Sequence, residues 1–228
     1  MKKAALICLL ALFAGATARA DSKSARDELV GQVETCEAIL QEFMSDPSTA
    51  IPPAVRQHAK ALIIVNQFKA GFIFGVKGGY GVILVKQSSG RWSLPVLINA
   101  GEASLGLQLG AKSVETIYVI TDASVPRLLF KQRFNIGVDA KAVAGPATAE
   151  AERNVHSVLE DAPVLVYSKS SGLYAGATVK AGYVSRDDDA NFTLYRTAYT
   201  LPELLYSDWV TPPPEVQPLM NYVQRLMP

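Results

Sequence analysis

A glycine-rich stretch from residue 71 to residue 111 constrains the fold of this chain more than any other feature. Within it, short apolar segments alternate with glycines, a pattern typical of successive β-strands joined by tight turns. The segment 104–110 alternates strictly: three leucines share one face, and small residues including Gly106 and Gly110 share the other. A glycine-lined face predicts the close approach of a backbone, a ring or a ligand, and the spacing leaves all three alternatives open.

Periodicity predicts the remaining elements. Residues 24–45 carry an apolar residue at every third or fourth position, which predicts an amphipathic helix with an acidic outer face. The aspartate run 187–189 is interpreted as a solvated turn rather than a calcium site. Short connections predict an α+β fold, with a strongly curved antiparallel sheet or closed β-barrel-like core flanked by about three helices. The expected strands include 61–68, 116–121, 164–168 and 173–185, and further helices are expected at 125–134 and 216–227.

The first twenty residues predict a secretory signal peptide. Two lysines precede a short apolar run, and small residues stand at positions 18 and 20, as a cleavage site requires. Cleavage after Ala20 would leave residues 21–228 as a single domain, periplasmic or secreted. It would change the formal net charge from +1 to −2, because the segment holds three basic residues and no acidic ones. That charge argues against nucleic-acid binding by bulk electrostatics, and Cys36 alone cannot form an internal disulfide.

Motifs of enzyme chemistry are missing from the sequence. His58 and His156 have no Cys or His neighbour at metal-ligand spacing, so no metal site is predicted. The glycine spacing matches neither a dinucleotide fingerprint nor a phosphate-binding loop, so no cofactor is expected. A hydrolase with Ser93 or Ser104 as nucleophile stays an alternative, although no base lies nearby in sequence.

Cations and aromatic residues are interleaved in and beside the glycine-rich stretch. Lysine and arginine can bind phosphate, and aromatic side chains favour the lipid interface. The alternative is that the lysines protect strand edges from aggregation while the aromatics fill the core. The lipid interpretation assigns the contacts to Lys69, Phe72, Lys77, Lys86, Arg91 and Trp92, with Trp92 as the inserting side chain and Lys112 as a further nearby cation.

Seven short motifs follow one another along the chain: Ala70-Gly71-Phe72, Gly79-Tyr80-Gly81, Trp92-Ser93-x-Pro95, Ser104-x-Gly106-Leu107-Gln108-x-Gly110, Gly137-x-Asp139-Ala140, Ala144-Gly145-Pro146 and Tyr167-Ser168-x-Ser170-x-Gly172-Leu173-Tyr174-Ala175-Gly176. In this order they resemble the SYLF family, and the match runs from about residue 27 to about residue 200. The resemblance implies a non-enzymatic module that binds lipid or a membrane surface. Eukaryotic members of that family bind phosphoinositides, fungal members also bind actin, and bacterial members are exported.

Two positions depart from the family pattern. Residues 147–149 replace a common Gly-Arg pair, and Glu115 stands where the family usually carries aspartate. We therefore expect a neutral or weakly anionic phospholipid, or a fatty acyl chain, as the ligand rather than a polyphosphoinositide. Actin binding is not expected of an exported bacterial protein. The alternative function is a structural or protein-interaction domain of the cell envelope without a lipid ligand.

Overall fold

The computed structural model describes residues 2–70, 74–105, 112–131, 133–146, 157, 159–160, 162–170 and 182–228, and for residues 2–22, 68–70, 74–77, 102–105, 112 and 170 it describes the backbone alone. The strands are β1 (Ala61–Ala70), β2 (Phe74–Val85), β3 (Val96–Leu105), β4 (Lys112–Ile120), β5 (Arg133–Ile136), β6 (Ala142–Ala144), β7 (Val164–Ser170) and β8 (Gly182–Arg186). The helices are α1 (Lys2–Ser45), α2 (Pro53–Arg56), α3 (Asp188–Tyr195), α4 (Leu201–Tyr206) and α5 (Gln217–Leu226), with 3-10 turns at Val125–Lys131 and Pro214–Val216.

All eight strands belong to one sheet in the order β5-β8-β3-β2-β1-β4-β7-β6. Every pairing is antiparallel except that of β6 with β7. The two edge strands, β5 and β6, are consecutive in the chain, and residues 137–141 between them can span at most about 20 Å. The edges must therefore lie near each other, and the sheet curls into a nearly closed, barrel-like core. The predicted α+β fold with a curved antiparallel sheet is confirmed.

Glycines allow β1 and β2 to approach each other closely. A methyl group at Gly79 would lie 2.2 Å from the carbonyl oxygen of Asn66, and one at Gly81 would lie 2.2 Å from that of Ile64. Both obstacles are backbone atoms of β1, which cannot move aside as a flexible side chain can. Close backbone approach, one of the alternatives raised for the glycine-rich stretch, is thus observed on β2. Gly106 and Gly110 lie outside the described residues.

The long helix α1 packs its predicted apolar stripe on the sheet. Val33, Cys36, Leu40 and Phe43 are buried, which confirms the amphipathic helix expected at 24–45. The thiol of Cys36 contacts the carbonyl oxygen of Ile64 on β1 at 3.8 Å, and burial raises its pKa to about 12. Among the described residues, no helix has the length and hydropathy needed to cross a membrane. Signal-peptide cleavage and the single mature domain stay predictions.

Two segments differ from the sequence-based expectation. The helix expected at 125–134 is a 3-10 turn followed by β5, because Phe134 and Ile136 alternate with more exposed residues and pair with β8. The aspartate run begins α3 instead of forming an isolated turn: the Asp187 carboxylate accepts a hydrogen bond from the Ala190 amide at 3.0 Å and caps the helix. The long strand expected at 173–185 is described only from residue 182, where β8 begins.

The C-terminal helix α5 lies within the segment 216–227, where a terminal helix is expected, and covers one end of the sheet. Leu219, Val223 and Met227 are fully buried in the same core as α1 and the strands. The opposite end, where β1 ends and β2 and β4 begin, has no such C-terminal segment among its described neighbours. This asymmetry decides the surroundings of the candidate binding residues.

Two candidate binding regions at opposite ends of the sheet

The described residues among the six assigned to lipid contact lie in two separate places rather than in one site. Lys69 and Lys77 lie where β1 ends and β2 begins, whereas Lys86 follows the last residue of β2. Nine residues of extended strand separate Lys77 from Lys86, a distance of about 30 Å. Phe72 lies outside the described residues. We call the first region the lysine end and the second, which holds Lys86, Arg91 and Trp92, the closed end.

At the lysine end, strand register aligns three lysines. Lys69 on β1 stands opposite Lys77 on β2 and also opposite Lys112 on β4. Residues directly opposite in antiparallel strands share a face, with Cβ atoms about 4.5–5.5 Å apart, and like charges in such pairs are destabilising. The next residue in the row, on β3, is Glu102. We call Lys69, Lys77 and Lys112 the lysine row.

A polar network centred on buried Asn66 joins β1, β2 and β4, the three strands of the lysine row. The side chain of Asn66 on β1 donates to the Tyr80 hydroxyl on β2 at 3.3 Å and accepts from the Ser113 hydroxyl on β4 at 3.0 Å. Asn66 is 7% exposed, so these contacts meet the hydrogen-bonding needs of a buried amide. Because they join the same three strands, they hold the register on which the lysine row depends.

A further lysine near this network is already paired. Lys169 on β7 forms an ion pair with Glu42 of α1 and stands opposite Glu115 on β4. Burial raises the pKa of Glu115; the nearby charge of Glu42 also raises it, and Lys169 lowers it. Lys169 therefore serves to dock α1 and is not counted with the lysine row.

At the closed end, Trp92 is part of the core. Its side chain is 4% exposed, and its indole NH donates to the Met227 carbonyl at 2.8 Å. The Trp92 amide donates to the Gln224 side chain at 3.1 Å, and the Lys86 ammonium donates to the Pro228 carbonyl. The expectation that Trp92 is exposed and inserts into a bilayer is corrected, because the chain after α5 covers it.

The Arg91 side chain remains mostly exposed to solvent. Its guanidinium forms an ion pair with Asp208 at 3.5 Å, and the two side chains are 66% and 76% exposed. The Gln87 side chain donates to the carbonyls of Leu205 and Ser207 at 3.2 and 3.3 Å. These bonds join the β2–β3 connection to the end of α4 and to the residue that follows it.

A groove of about 540 Å³ lies between that connection and residues 207–224. Its volume is typical of a pocket for a small molecule. Apolar side chains and the Arg91–Asp208 pair line it together. The apolar contributors are Trp92, Leu94, Val210, Pro212 and Met220.

In the described ranges, Ser93 has no base as a partner and no group of metal ligands is present. The Ser93 hydroxyl is 2% exposed, donates to the Leu94 carbonyl at 2.9 Å and accepts from the Val85 amide at 3.0 Å, so backbone groups rather than a base engage it. Within these ranges no three His, Cys, Asp or Glu side chains cluster as metal ligands do. The side chain of Ser104 and the whole of His156 lie outside the description.

The exposed tryptophan is Trp209, which the sequence interpretation did not select. It is 62% exposed and lies against Tyr199, which is 40% exposed, with ring centroids 5.4 Å apart. Sequence context gives a signal: Trp209 follows Ser207 and Asp208 in a polar, proline-rich segment, whereas an apolar run leads on from Trp92.

Comparison with known proteins identifies the family. A family model described as Ysc84, Las17-binding protein actin regulator, matches residues 101–226, more than half of the chain. The chain belongs to this family. The resemblance to the SYLF family is thereby confirmed.

Relatives with curated names agree with this assignment. The chain is 33% identical over 188 residues to the SH3 domain-containing protein PJ696.02 of Schizosaccharomyces pombe, covering 79% of this chain and 44% of the relative. It is 31% identical over 176 residues to the LAS seventeen-binding protein 3 of Saccharomyces cerevisiae, covering 76% and 38%. It is 27% identical over 197 residues to the SH3 domain-containing YSC84-like protein 1 of Bos taurus, covering 84% and 57%.

The chain therefore spans about two fifths to three fifths of these relatives, and their other parts have no counterpart in the match. No solved structure matches the chain.

Proposed function

We propose that this chain is a non-enzymatic protein that binds phospholipid at the membrane surface of a bacterial cell envelope, after export to the periplasm. The observation that carries the proposal is the lysine row. The register of β2, β1 and β4 aligns Lys77, Lys69 and Lys112 directly across three strands. Like charges at directly opposite strand positions are destabilising, Glu102 opposite Lys77 offsets only part of that repulsion, and an anionic surface would relieve the rest.

The expected affinity for the membrane is modest, and the attraction comes from the lysine row alone. Each lysine near an anionic membrane contributes about 1 kcal/mol, and the attraction falls off within a Debye length of about 8 Å at physiological salt. Three lysines therefore contribute about 3 kcal/mol, roughly a hundredfold in binding. With a predicted mature net charge of −2, the whole chain adds no attraction to an anionic membrane.

Vesicle co-sedimentation tests the proposal, with vesicles of phosphatidylethanolamine alone or mixed with phosphatidylglycerol. The variant is Lys69→Gln/Lys77→Gln/Lys112→Gln, and the matched control is Lys86→Gln/Lys131→Gln/Arg225→Gln, which removes the same charge elsewhere and leaves Arg91 in place. We expect wild type to bind the mixed vesicles at low salt, the row variant to lose at least tenfold, and the control to change less than twofold. Equal loss in both variants, or wild type in the supernatant under every condition, would contradict the proposal.

Export is tested separately by intact-mass measurement on a periplasmic extract. We expect a chain that begins at Asp21. A periplasmic chain that retains Met1, or a chain confined to the cytoplasm, would contradict the proposed address.

The second candidate function is a protein-interaction domain of the envelope, and the exposed Tyr199–Trp209 pair favours it. Tyrosine and tryptophan are enriched at the centres of protein interfaces. The names of the family and of one relative describe an actin regulator and a Las17-binding protein. We expect no actin binding by this chain, and co-sedimentation with filamentous actin checks that expectation: wild type should stay in the supernatant.

A further inference from the structure

The groove at the closed end has charges and apolar surface arranged for one kind of ligand. We propose that it binds a single phospholipid molecule with a zwitterionic phosphate–amine headgroup, of the phosphatidylethanolamine type. This inference rests on the proposed function and names the lipid class that this chain takes up as an individual molecule.

The Arg91–Asp208 pair supplies one positive and one negative group at the groove. Their atoms approach to 3.5 Å, and both side chains are mostly exposed. Exposed ion pairs of this kind contribute little to stability, so a ligand can replace the contact at small cost. The arginine fork fits a phosphate, and the carboxylate accepts from an ammonium. A purely anionic headgroup would satisfy Arg91 and be repelled by Asp208.

The apolar side chains of the groove accommodate the part of a lipid next to its headgroup. Val210, Pro212 and Met220 keep part of their surface and line the same space as the ion pair, whereas Trp92 and Leu94 lie buried in its wall. A volume of about 540 Å³ holds a headgroup with part of a chain rather than two whole acyl chains. The ligand is therefore expected to gain affinity from the first methylenes of its chain.

Hydrogen bonds between its walls preform the groove. Gln87 joins one wall to the carbonyls of Leu205 and Ser207. Gln224 of α5 accepts from the Trp92 amide at 3.1 Å and donates to the Gly90 carbonyl at 3.4 Å. A preformed site loses less freedom when it binds, which suits a ligand with few polar contacts.

Calorimetry with lysophosphatidylethanolamine below its critical micelle concentration tests the proposal. The comparison ligands are lysophosphatidylglycerol with the same acyl chain, which removes the amine, and glycerophosphoethanolamine, which removes the chain. We expect the first ligand to bind at least tenfold more tightly than either comparison ligand. Arg91→Gln and Asp208→Asn should each weaken that binding at least tenfold, whereas Arg225→Gln, an exposed arginine outside the groove lining, should change it less than twofold.

The outcomes separate this inference from the proposed function. If the row variant loses vesicle binding but keeps lysophosphatidylethanolamine binding, both proposals are supported. If wild type binds vesicles but not the soluble lipid, or binds both lysolipids equally, the groove proposal is overturned and the proposed function stands. Soluble-lipid binding without vesicle binding supports the groove and overturns the membrane-surface function. Circular dichroism of each variant confirms that the fold is retained.

Discussion

The two ends of the sheet carry similar residue types in opposite circumstances. At the closed end, the C-terminal chain covers Trp92 and engages Lys86, and Arg91 has an acidic partner. At the lysine end, strand register brings Lys69, Lys77 and Lys112 opposite one another. A cation beside an aromatic residue is therefore not a binding site by itself. Its role depends on which segment covers it and on what stands opposite it.

The comparison also assigns a different energetic role to each end. Burial of a large aromatic side chain stabilises the fold, whereas alignment of like charges lowers stability. The closed end is therefore expected to hold the fold together, and the lysine end is expected to gain stability when its charge is removed. Matched substitutions at the two ends can break or sharpen this contrast.

The largest effect is expected from the two tryptophans. Trp92→Ala should lower the free energy of unfolding by about 3–5 kcal/mol, because it leaves a cavity and deprives the Met227 carbonyl of its donor. Trp209→Ala, at the exposed tryptophan, should change it by less than about 1 kcal/mol. Urea unfolding followed by circular dichroism measures both. Similar losses in the two variants would show that the closed end is not anchored by Trp92.

The next effect concerns the glycines that let β1 and β2 meet beside the lysine row. Gly79→Ala should lower the free energy of unfolding by roughly 1–3 kcal/mol, because the methyl group would lie 2.2 Å from the Asn66 carbonyl oxygen. Gly78→Ala is the control, since its methyl group would meet no atom within 4 Å. Gly79→Ala should also weaken vesicle binding by displacing the row. Equal thermal midpoints for the two variants would mean that β1 and β2 can move apart far enough to accommodate a methyl group at residue 79.

Sequence reasoning predicts the fold where periodicity is long. The α1 stripe is indicated by several turns of apolar spacing, and the antiparallel sheet by short connections. It fails for α3, where the capping aspartates resemble a turn and the helix has only eight residues. It also fails for β5, whose four residues take their structure from pairing with β8. Short elements depend on tertiary contacts that a local pattern does not contain.

The sequence predicts which residue types the candidate site contains, but not how the fold arranges them in space. Lys69 and Lys77 are eight residues apart, and Lys77 and Lys86 are nine. The chain reverses direction between the first two, so they face each other across the β1–β2 pair, whereas an extended strand separates the second two by about 30 Å. Nearly equal spacings in the sequence thus give opposite results. Register, and the cover supplied by α5, become visible only in the folded chain.

A smaller effect is expected from neutralising the centre of the lysine row. Lys69→Gln removes the charge that stands opposite both Lys77 and Lys112. It should therefore raise the free energy of unfolding by on the order of 0.5 kcal/mol at low salt. The gain should shrink in 0.5 M salt because screening already relieves the repulsion in wild type. Lys86→Gln, which loses a contact with the Pro228 carbonyl, should give no gain. Thermal unfolding at two salt concentrations measures both, and a destabilised Lys69→Gln would remove the argument that the row costs stability.

The smallest expected effects have opposite signs at two carboxyl groups, Glu115 near the lysine end and Glu203 in α4. Burial raises the pKa of Glu115 above its usual range, while hydrogen bonds from the hydroxyl and amide of Thr200 lower the pKa of Glu203. Ionisation of Glu115 therefore works against the fold, and Glu115→Gln should raise the thermal midpoint at pH 7.

Ionisation of Glu203 favours the fold, because the carboxylate accepts both bonds from Thr200 at 2.7 Å. Its contribution is present above the ordinary glutamate pKa of about 4.3 and is lost as the pH falls through the lowered value. Glu203→Gln should thus lower the midpoint at pH 7. Both differences from wild type should shrink toward zero as the pH falls, the Glu115 difference by about pH 4 and the Glu203 difference only in more acidic solution. Midpoints of the three proteins measured from pH 7 to pH 3 check this, and a Glu115→Gln midpoint below wild type at pH 7 would show that the pairing with Lys169 outweighs burial.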